Sequence, residues 1–149
     1  RYINRTENLF GKIAASDLRS RYSELIYFAK FEKRHLALLS TVEGRDGQVR
    51  HIPMLDAAAS KIRVSAQSIK AACENLFVSG YEVFETKGSY HLVSKILQTE
   101  EERRTLLVNS VLLAPLIDAR YAAHQLLRST SSLRIIDDRG AVISKIASC

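Results

Sequence analysis

The clearest pattern of apolar and polar positions lies in the middle of the chain. After Ser65, apolar side chains recur at helical spacing, at Ile69, Ala72, Cys73 and Leu76. This spacing predicts a helix with one buried face, and the hydroxyl of Ser65 is well placed to cap its first turn. Gly80 ends the helix, and two strands are predicted at residues 81–86 and 89–93 around a Lys87-Gly88 turn. The pattern therefore predicts a capped helix that leads into a β-hairpin.

The elements predicted before this unit are mostly helical. An amphipathic pattern that begins at Ser16-Asp17 predicts a long helix reaching about Ser40. A short strand is predicted at residues 48–52, where it would pair with the hairpin. Residues 54–62 are predicted to form a second short helix, with a turn at residues 61–64.

The C-terminal part of the chain begins with a strong helix signal. Thr99 and Glu102 form a predicted capping box. Pro115 is expected either to bend this helix or to start a new one at its first turn, and the helical segment is expected to continue to about Arg128. Residues 106–117 are apolar around nearly the whole circumference. This segment predicts a homodimer interface, with coverage by the rest of the chain as the alternative. Residues 133–136 and 141–143 are predicted to form a terminal β-hairpin.

These elements predict a mainly α fold with a small β component (α+β). Its core would be a winged helix-turn-helix, with an N-terminal helix, a long bent helix after the wing, and a terminal β-hairpin. The predicted division is a basic arm at residues 1–16, the winged domain at residues 17–97, and a helical dimerisation segment at residues 98–149.

Residues 54–93 resemble the winged helix-turn-helix of GntR-like and MarR-like transcription regulators. The resemblance is carried by Ala57-Ala58-Ala59, Val64-Ser65, Leu76, Gly80-Tyr81 and Lys87-Gly88-Ser89-Tyr90. It implies that the start of the recognition helix enters the major groove of DNA. The residues that would read bases are Ala66, Gln67, Ser68 and Lys70. Those that would contact the DNA backbone are Arg50, Lys61, Arg63, Lys87, Ser89, Tyr90 and His91.

The charge distribution qualifies that interpretation. The chain of 149 residues has a net charge of +6, but residues 43–93 hold six basic and six acidic side chains. The leading hypothesis is a sequence-specific regulator that binds double-stranded DNA as a homodimer. The neutral segment supports an alternative, a winged-helix module that binds other proteins in a larger assembly. A plasmid replication initiator is a further alternative.

No catalytic or metal-binding motif is evident in the sequence. The four histidines lack metal-ligand spacing, and Asp137-Asp138 precedes Arg139-Gly140 as in a turn. We therefore predict no enzyme activity, no metal and no cofactor. The two cysteines form no redox motif, and neither a signal peptide nor an apolar run of membrane-spanning length is present. The predicted location is cytoplasmic and nucleoid-associated.

Overall fold

A computed structural model describes residues 36–58, 64–74, 76, 80–86, 88–136 and 144–148. Among these residues, eight strands form three antiparallel sheets. The strands are β1 (Leu36–Leu39), β2 (Thr41–Glu43), β3 (Val49–His51), β4 (Met54–Ala57), β5 (Tyr81–Glu85), β6 (Tyr90–Ser94), β7 (Ser132–Ile136) and β8 (Ser144–Ser148). The described helices are α1 (Ala66–Cys73), α2 (Glu100–Val111) and α3 (Ala119–Leu126).

The largest sheet has four strands in the order β4-β6-β5-β8. Strands β5 and β6 form a hairpin, and β4 pairs along the other edge of β6 so that Asp56 lies opposite His91. The buried side chains of Leu55, Val83 and Leu92 are fully excluded from solvent. Because β-branched and leucine side chains pack well on a pleated surface, these strands form one wall of the core.

The two smaller sheets each contain two strands. Strand β1 pairs with β7, and β2 pairs with β3. A pair of backbone hydrogen bonds between His51 and Gln98 connects β3 to the segment before α2. These pairings bring segments that are distant in the sequence to one side of the fold.

Each helix begins at a side chain that caps it. Ser65 accepts a hydrogen bond from the Ser68 N–H at 3.2 Å, and Thr99 and Glu102 form the predicted capping box. Asp118 caps α3 through its Oδ1 atom. The predicted caps at Ser65 and Thr99 are therefore confirmed, because each hydroxyl satisfies a backbone donor that the helix leaves free.

One apolar core connects the four-stranded sheet with the helices. Its buried members include Leu55, Ile69, Tyr81, Val83, Tyr90, Leu92, Leu106, Leu107, Ile117 and Ala122. The predicted burial of Ile69 is confirmed, and Leu76 packs against the cluster while remaining partly exposed. Residues on both sides of the predicted domain boundary between residues 97 and 98 contribute to this core. The domain boundary stays a prediction.

A second, polar centre is built around Arg103, which is only 1% exposed. Its guanidinium donates to both carboxylate oxygens of Glu100, at 2.7 and 2.8 Å. It also donates to the carbonyl oxygens of Gln125 and Arg128 and to the Ser131 hydroxyl. Since five N–H donors in a fixed plane can satisfy several acceptors at once, this one side chain connects α2, the end of α3 and the start of β7.

The winged-helix fold class is wrong for this chain. The described residues form mainly small sheets with short helices, and the pairing partners differ from those of a winged helix. The segment predicted as the second short helix, residues 54–62, begins as β4, an edge strand of the four-stranded sheet, and residues 59–62 lie outside the described part. Its run of Met54, Leu55 and Ala57 is buried by strand pairing, so tertiary contacts override the helical reading of a short apolar run.

Three further elements differ from their predictions. The helix expected to reach Ser40 is replaced by strand β1 at residues 36–39, and residues 17–35 lie outside the described part. In place of one long bent helix there are two helices, and the second begins at Ala119 rather than at Pro115, because residues 112–116 form turns before the cap at Asp118. The terminal strand predicted at residues 133–136 is present as β7, but it pairs with β1, and its predicted partner at residues 141–143 lies outside the described residues.

Other predicted strands are present with altered partners. The strand predicted at residues 48–52 is confirmed as β3, but it pairs with β2 rather than with the hairpin. The hairpin of β5 and β6 is confirmed.

None of the helices in the described ranges has the length and apolar character needed to cross a membrane.

Candidate functional site

Two carboxylates from distant parts of the sequence meet at the edge strand β4. Asp56 lies in β4, and Asp118 precedes α3. The Asp118 N–H donates to the Asp56 carbonyl oxygen at 2.8 Å, and the Ala58 N–H donates to that of Leu116 at 3.0 Å. Ile117, which lies between these bonds, is fully buried and anchors the segment in the core. The backbone therefore holds the two acidic residues side by side.

Burial changes the ionisation of Asp56. Desolvation, as the largest cause, and the nearby charge of Asp118 together raise the pKa of its carboxyl group to about 6, against the opposing charge of Arg134 of β7. A carboxylate in a partly dry site beside a like charge binds protons and cations more tightly. Asp56 is therefore an acidic group that favours a positive partner.

His91 lies opposite Asp56 on the neighbouring strand. Its Nε2 atom is 3.6 Å from Asp56 Oδ1, which is too long for a hydrogen bond. Burial, helped by the positive charge of Arg134, lowers the pKa of His91 to about 4. At neutral pH the imidazole is therefore uncharged, and the contact is not an ion pair. Its Nδ1 atom is buried without a hydrogen-bond partner among the described residues.

Asp118 is positioned by the helix that it caps. Its Oδ1 atom accepts hydrogen bonds from the N–H groups of Arg120 at 2.8 Å and Tyr121 at 3.2 Å. Burial, followed by the charge of Asp56, raises the pKa of Tyr121, so its hydroxyl stays protonated beside the acidic pair.

The arrangement is suited to binding one divalent cation together with a phosphate group. Within the described ranges, no group of three or more His, Cys, Asp or Glu side chains is arranged to hold a metal by itself. Mg²⁺ in nucleotide sites commonly uses one or two carboxylates, with substrate phosphates and water as the other ligands. The acidic pair, Asp56 and Asp118, fits that donor set. Arg134 supplies a positive charge for the phosphates.

The strand supplies only one of these carboxylates. Residues two apart on a strand share a face, and the neighbours of Asp56 at that spacing are Met54 and Ala58. Two-metal transfer sites place two cations about 3.5–4 Å apart and need ligands for both. The donor set of this site therefore matches one cation better than two.

The fold and site define a small α+β domain with an acidic pair at the edge strand of its four-stranded sheet. A family model described as "AEP-like: Archaeo-eukaryotic primase 1D-like" matches residues 14–145. The chain belongs to this archaeo-eukaryotic primase-like family. Searches of curated proteins and of solved structures gave no match.

The family overturns the resemblance to GntR-like and MarR-like regulators. The hypothesis of a transcription regulator is also wrong, because the resemblance and the hypothesis both depended on residues 54–93 forming a winged helix. A capped helix before a hairpin is present, but it is too common an arrangement to identify a family. The replication-initiator alternative lies closer to a primase-like family than the regulator hypothesis does.

The predicted base-reading residues lie on α1. Gln67 and Ser68 are exposed, Lys70 is half-buried, and Ala66 begins the helix. The Lys70 carbonyl oxygen accepts a hydrogen bond from the Tyr81 hydroxyl at 2.7 Å. Contact of these residues with DNA stays a prediction.

The predicted backbone-contact residues are spread over several environments. Arg50 pairs with Asp46 at 3.0 Å in the β2–β3 hairpin, and the Ser89 hydroxyl donates to the Ala57 carbonyl oxygen. Tyr90 is buried, and its hydroxyl donates to the Val64 carbonyl oxygen at 3.3 Å. His91 lies in the acidic site. Lys61, Arg63 and Lys87 lie outside the described residues.

Sequence reasoning missed both members of the acidic pair. A signal was present, since Asp56 and Asp118 each come directly after a run of apolar residues. A charge inside an apolar segment is rarely buried without a reason. The pairing could not be found from the sequence because it depends on the bridge between Ala57 and Ile117.

Proposed function

We propose that this domain acts in DNA replication as a nucleotide-binding member of the primase-like family. In this proposal Asp56 and Asp118 hold one divalent cation against the phosphates of a nucleotide. The observation that carries it is the acidic pair itself, held together by the backbone bond between these residues and sharing one partly buried site. Membership of the family supports the connection with primer synthesis.

Each residue of the site has a role that follows from its chemistry. A bound cation would neutralise the charge that builds up between carboxylates and phosphates. Asp56 and Asp118 provide its protein ligands, and Arg134 contacts phosphate oxygens as a permanent positive charge. His91 remains neutral at physiological pH, so it can donate or accept a hydrogen bond at the same place.

Nucleotidyl transfer is the second candidate function. It is favoured by the family, since primases join nucleotides into primers. It is opposed by Met54 and Ala58, which leave the strand with a single carboxylate where a two-metal site needs more ligands. We therefore keep the prediction that the described domain is not an enzyme, in the narrower form that it binds nucleotide without extending a primer.

The DNA partner and the location belong to the same proposal. A domain that binds nucleotide during replication works on DNA, as the replication-initiator alternative requires. Its expected location is the cytoplasmic nucleoid.

Calorimetric titration of a non-hydrolysable nucleoside triphosphate in the presence of Mn²⁺ tests the proposal. We expect one site in the wild-type protein and at least tenfold weaker binding in Asp56→Asn and Asp118→Asn. Asparagine keeps the size of both side chains and is a good N-cap, so the second variant retains the start of α3. Asp46→Asn, in an exposed turn, is the control and should bind as the wild type does. Unchanged binding in both site variants would overturn the proposal.

Primer extension distinguishes the two candidate functions. The domain is incubated with a single-stranded template, all nucleotides and either Mg²⁺ or Mn²⁺. The binding function predicts no extension product. A product that disappears in Asp56→Asn would establish nucleotidyl transfer instead.

A further inference from the structure

His51 lies at the centre of a buried polar cluster that joins the small sheets to α2. The residue belongs to β3 and is only 3% exposed. Its Nδ1 atom is 3.3 Å from the hydroxyl oxygen of Ser40, which lies between β1 and β2 and is fully buried. Its Nε2 atom is 3.2 Å from Oε2 of Glu100, the first residue of α2. One imidazole therefore connects three elements of the fold.

Backbone hydrogen bonds close the same junction. The His51 N–H donates to the Gln98 carbonyl oxygen at 2.7 Å, and the Gln98 N–H donates to the carbonyl oxygen of His51 at 2.8 Å. The Ile52 N–H donates to the Ser40 carbonyl oxygen at 2.7 Å. These three amides therefore report on whether the junction between β3 and the start of α2 is closed.

The partners of His51 determine which ring nitrogen carries the hydrogen at neutral pH. Glu100 is ionised there, because hydrogen bonds from Arg103 and then from Arg104 hold its pKa at about 2. An ionised carboxylate only accepts hydrogen bonds, so Nε2 of His51 donates to it. In the neutral ring Nδ1 is then an acceptor, and the Ser40 hydroxyl donates to it.

Protonation of Nδ1 reverses the hydrogen bond to Ser40. Nδ1 then donates to the hydroxyl oxygen of Ser40, which also accepts a hydrogen bond from the Ser131 N–H at 2.8 Å. The hydroxyl hydrogen of Ser40 turns to Thr130 Oγ1, which is 3.2 Å away. Thr130 can accept it, because its own hydroxyl donates to the Ser131 carbonyl oxygen. The cluster thus has two complete arrangements that differ in the orientation of a hydroxyl group.

The charge of the ring separates the two arrangements in energy. Burial lowers the pKa of His51, helped by the positive charge of Arg103 and opposed by the carboxylate of Glu100. That carboxylate is already shared by two guanidinium groups, and Arg103 is only 1% exposed. On the opposite side of the ring, Ser40 and Thr130 carry no charge. A protonated imidazole is therefore a second cation in a closed site, which favours opening to water.

We propose that Ser40, His51, Glu100 and Thr130 form a pH-sensitive switch. The switch holds β3 against the start of α2 while the imidazole is neutral, and it releases this junction when the imidazole is protonated. Release exposes the ring to water, where it keeps its proton without repulsion from Arg103. None of the four residues belongs to the acidic site, so the switch does not depend on the proposed function.

Hydrogen exchange of the His51, Ile52 and Gln98 amides at pH 7.5 and pH 5.5 tests the switch, with rates corrected for the intrinsic effect of pH. We expect the protection of these amides in the wild type to fall by about threefold to tenfold at pH 5.5. About tenfold is the limit for a ring whose pKa returns to 6.5 when the junction opens. The Val83 amide, in the core of the largest sheet, should stay better protected at both pH values, because the opening is local.

His51→Gln keeps a donor and an acceptor in the cluster but cannot become charged. The protection of Ile52 and Gln98 in this variant should therefore not depend on pH. His124→Gln, at an exposed position of α3, is the matched control and should show the wild-type fall. An equal fall in His51→Gln and in the wild type would overturn the proposal, and so would its loss in the control.

Side-chain ¹⁵N spectra of the wild type test the switch without any substitution. We expect the ring hydrogen of His51 on Nε2 at pH 7.5, and uptake of a second proton at Nδ1 with a midpoint below 6.5. A hydrogen on Nδ1 at pH 7.5, or a midpoint at or above 6.5, would contradict the proposed switch. Protection of the junction equal to that of Val83 would contradict it as well, since the junction would then open only with the whole domain.

Discussion

Asp56 and His91 face each other across β4 and β6 with shifts of pKa in opposite directions. The pKa of the Asp56 carboxyl is about 6 and that of the His91 imidazole is about 4. As the pH falls, the carboxyl therefore takes up a proton before the imidazole does. Between pH 4 and 6, ionisation of Asp56 lowers stability as the pH rises, whereas loss of the proton from His91 raises it. The contributions of Asp56 and His91 to the pH dependence of stability oppose each other. Replacing one of these residues should therefore reveal the contribution of the other.

We expect Asp56→Asn to stabilise the protein at pH 7.5. The folded pKa of Asp56 lies above its unfolded value of about 3.9, so its cost to folding builds up between about pH 4 and 6 and is fully present above that range. The gain should be about 1–2 kcal/mol, less than the full shift implies, because the side chain is 34% exposed and partly screened by solvent. Near pH 3 the gain should vanish. Urea unfolding at both values measures it.

Asp46→Asn is the matched control for that experiment. Hydrogen bonding to the Gln48 N–H, helped by the charge of Arg50, lowers the pKa of Asp46. Its contribution has the opposite sign: it is present above the unfolded pKa and lost as the pH falls. The control should therefore lose a little stability at pH 7.5. A loss of stability in Asp56→Asn as well would contradict a buried acidic site.

The α2 helix shows how burial decides the strength of an ion pair. Arg103 and Arg104 both bond to Glu100, but only Arg103 is enclosed by α3 and β7. The two arginines hold the pKa of Glu100 at about 2, with the Arg103 hydrogen bond as the largest cause. Stability from this carboxylate should therefore decline as the pH falls from about 4.5 to 2.

We expect Arg103→Met to lower the free energy of unfolding by about 1–3 kcal/mol, because the buried Gln125 carbonyl oxygen and Ser131 hydroxyl lose their hydrogen-bond donor. Arg104→Met should change it by about 0–1 kcal/mol, since an exposed pair contributes little. Chemical denaturation of both variants gives the comparison. Equal effects would show that Arg103 does not organise the end of α3 and the start of β7.

Local signals predicted the elements whose ends are determined by neighbouring residues. The caps at Ser65 and Thr99 and the β5–β6 hairpin depend on side chains a few positions apart. Where an element or its pairing depends on a distant partner, the prediction was wrong in the element type or in the partner. Strand β4 and the pairing of β1 with β7 are formed by contacts across much of the chain, which periodicity does not encode. The acidic pair belongs to this second group.

At the scale of the whole molecule, the predicted homodimer is untested and we retain it as a proposal. Leu106, Leu107 and Ile117 of the predicted interface are buried within the chain. Val108, Val111 and Leu112 remain exposed near the end of α2, with Leu112 at 81%. Self-association through these three side chains would remove them from water.

Light scattering of wild type and Leu112→Glu at micromolar concentration tests the dimer. We expect twice the mass of the 16.7 kDa chain for the wild type and the chain mass for the variant, because a charge would be buried at the interface. Thr105→Glu, at another exposed position of α2, is the control and should remain dimeric. A monomeric wild type would contradict the proposal.

The most direct test of the central claim locates a cation in the folded protein. Substoichiometric Mn²⁺ is added to the ¹⁵N-labelled protein with a non-hydrolysable nucleoside triphosphate, and paramagnetic broadening of the amide signals is recorded. We predict strong broadening at Asp56, Ala57 and residues 117–119, and its loss in Asp118→Asn. Broadening centred elsewhere in the wild type, for example on the turn at residues 44–47, would contradict a cation held between Asp56 and Asp118.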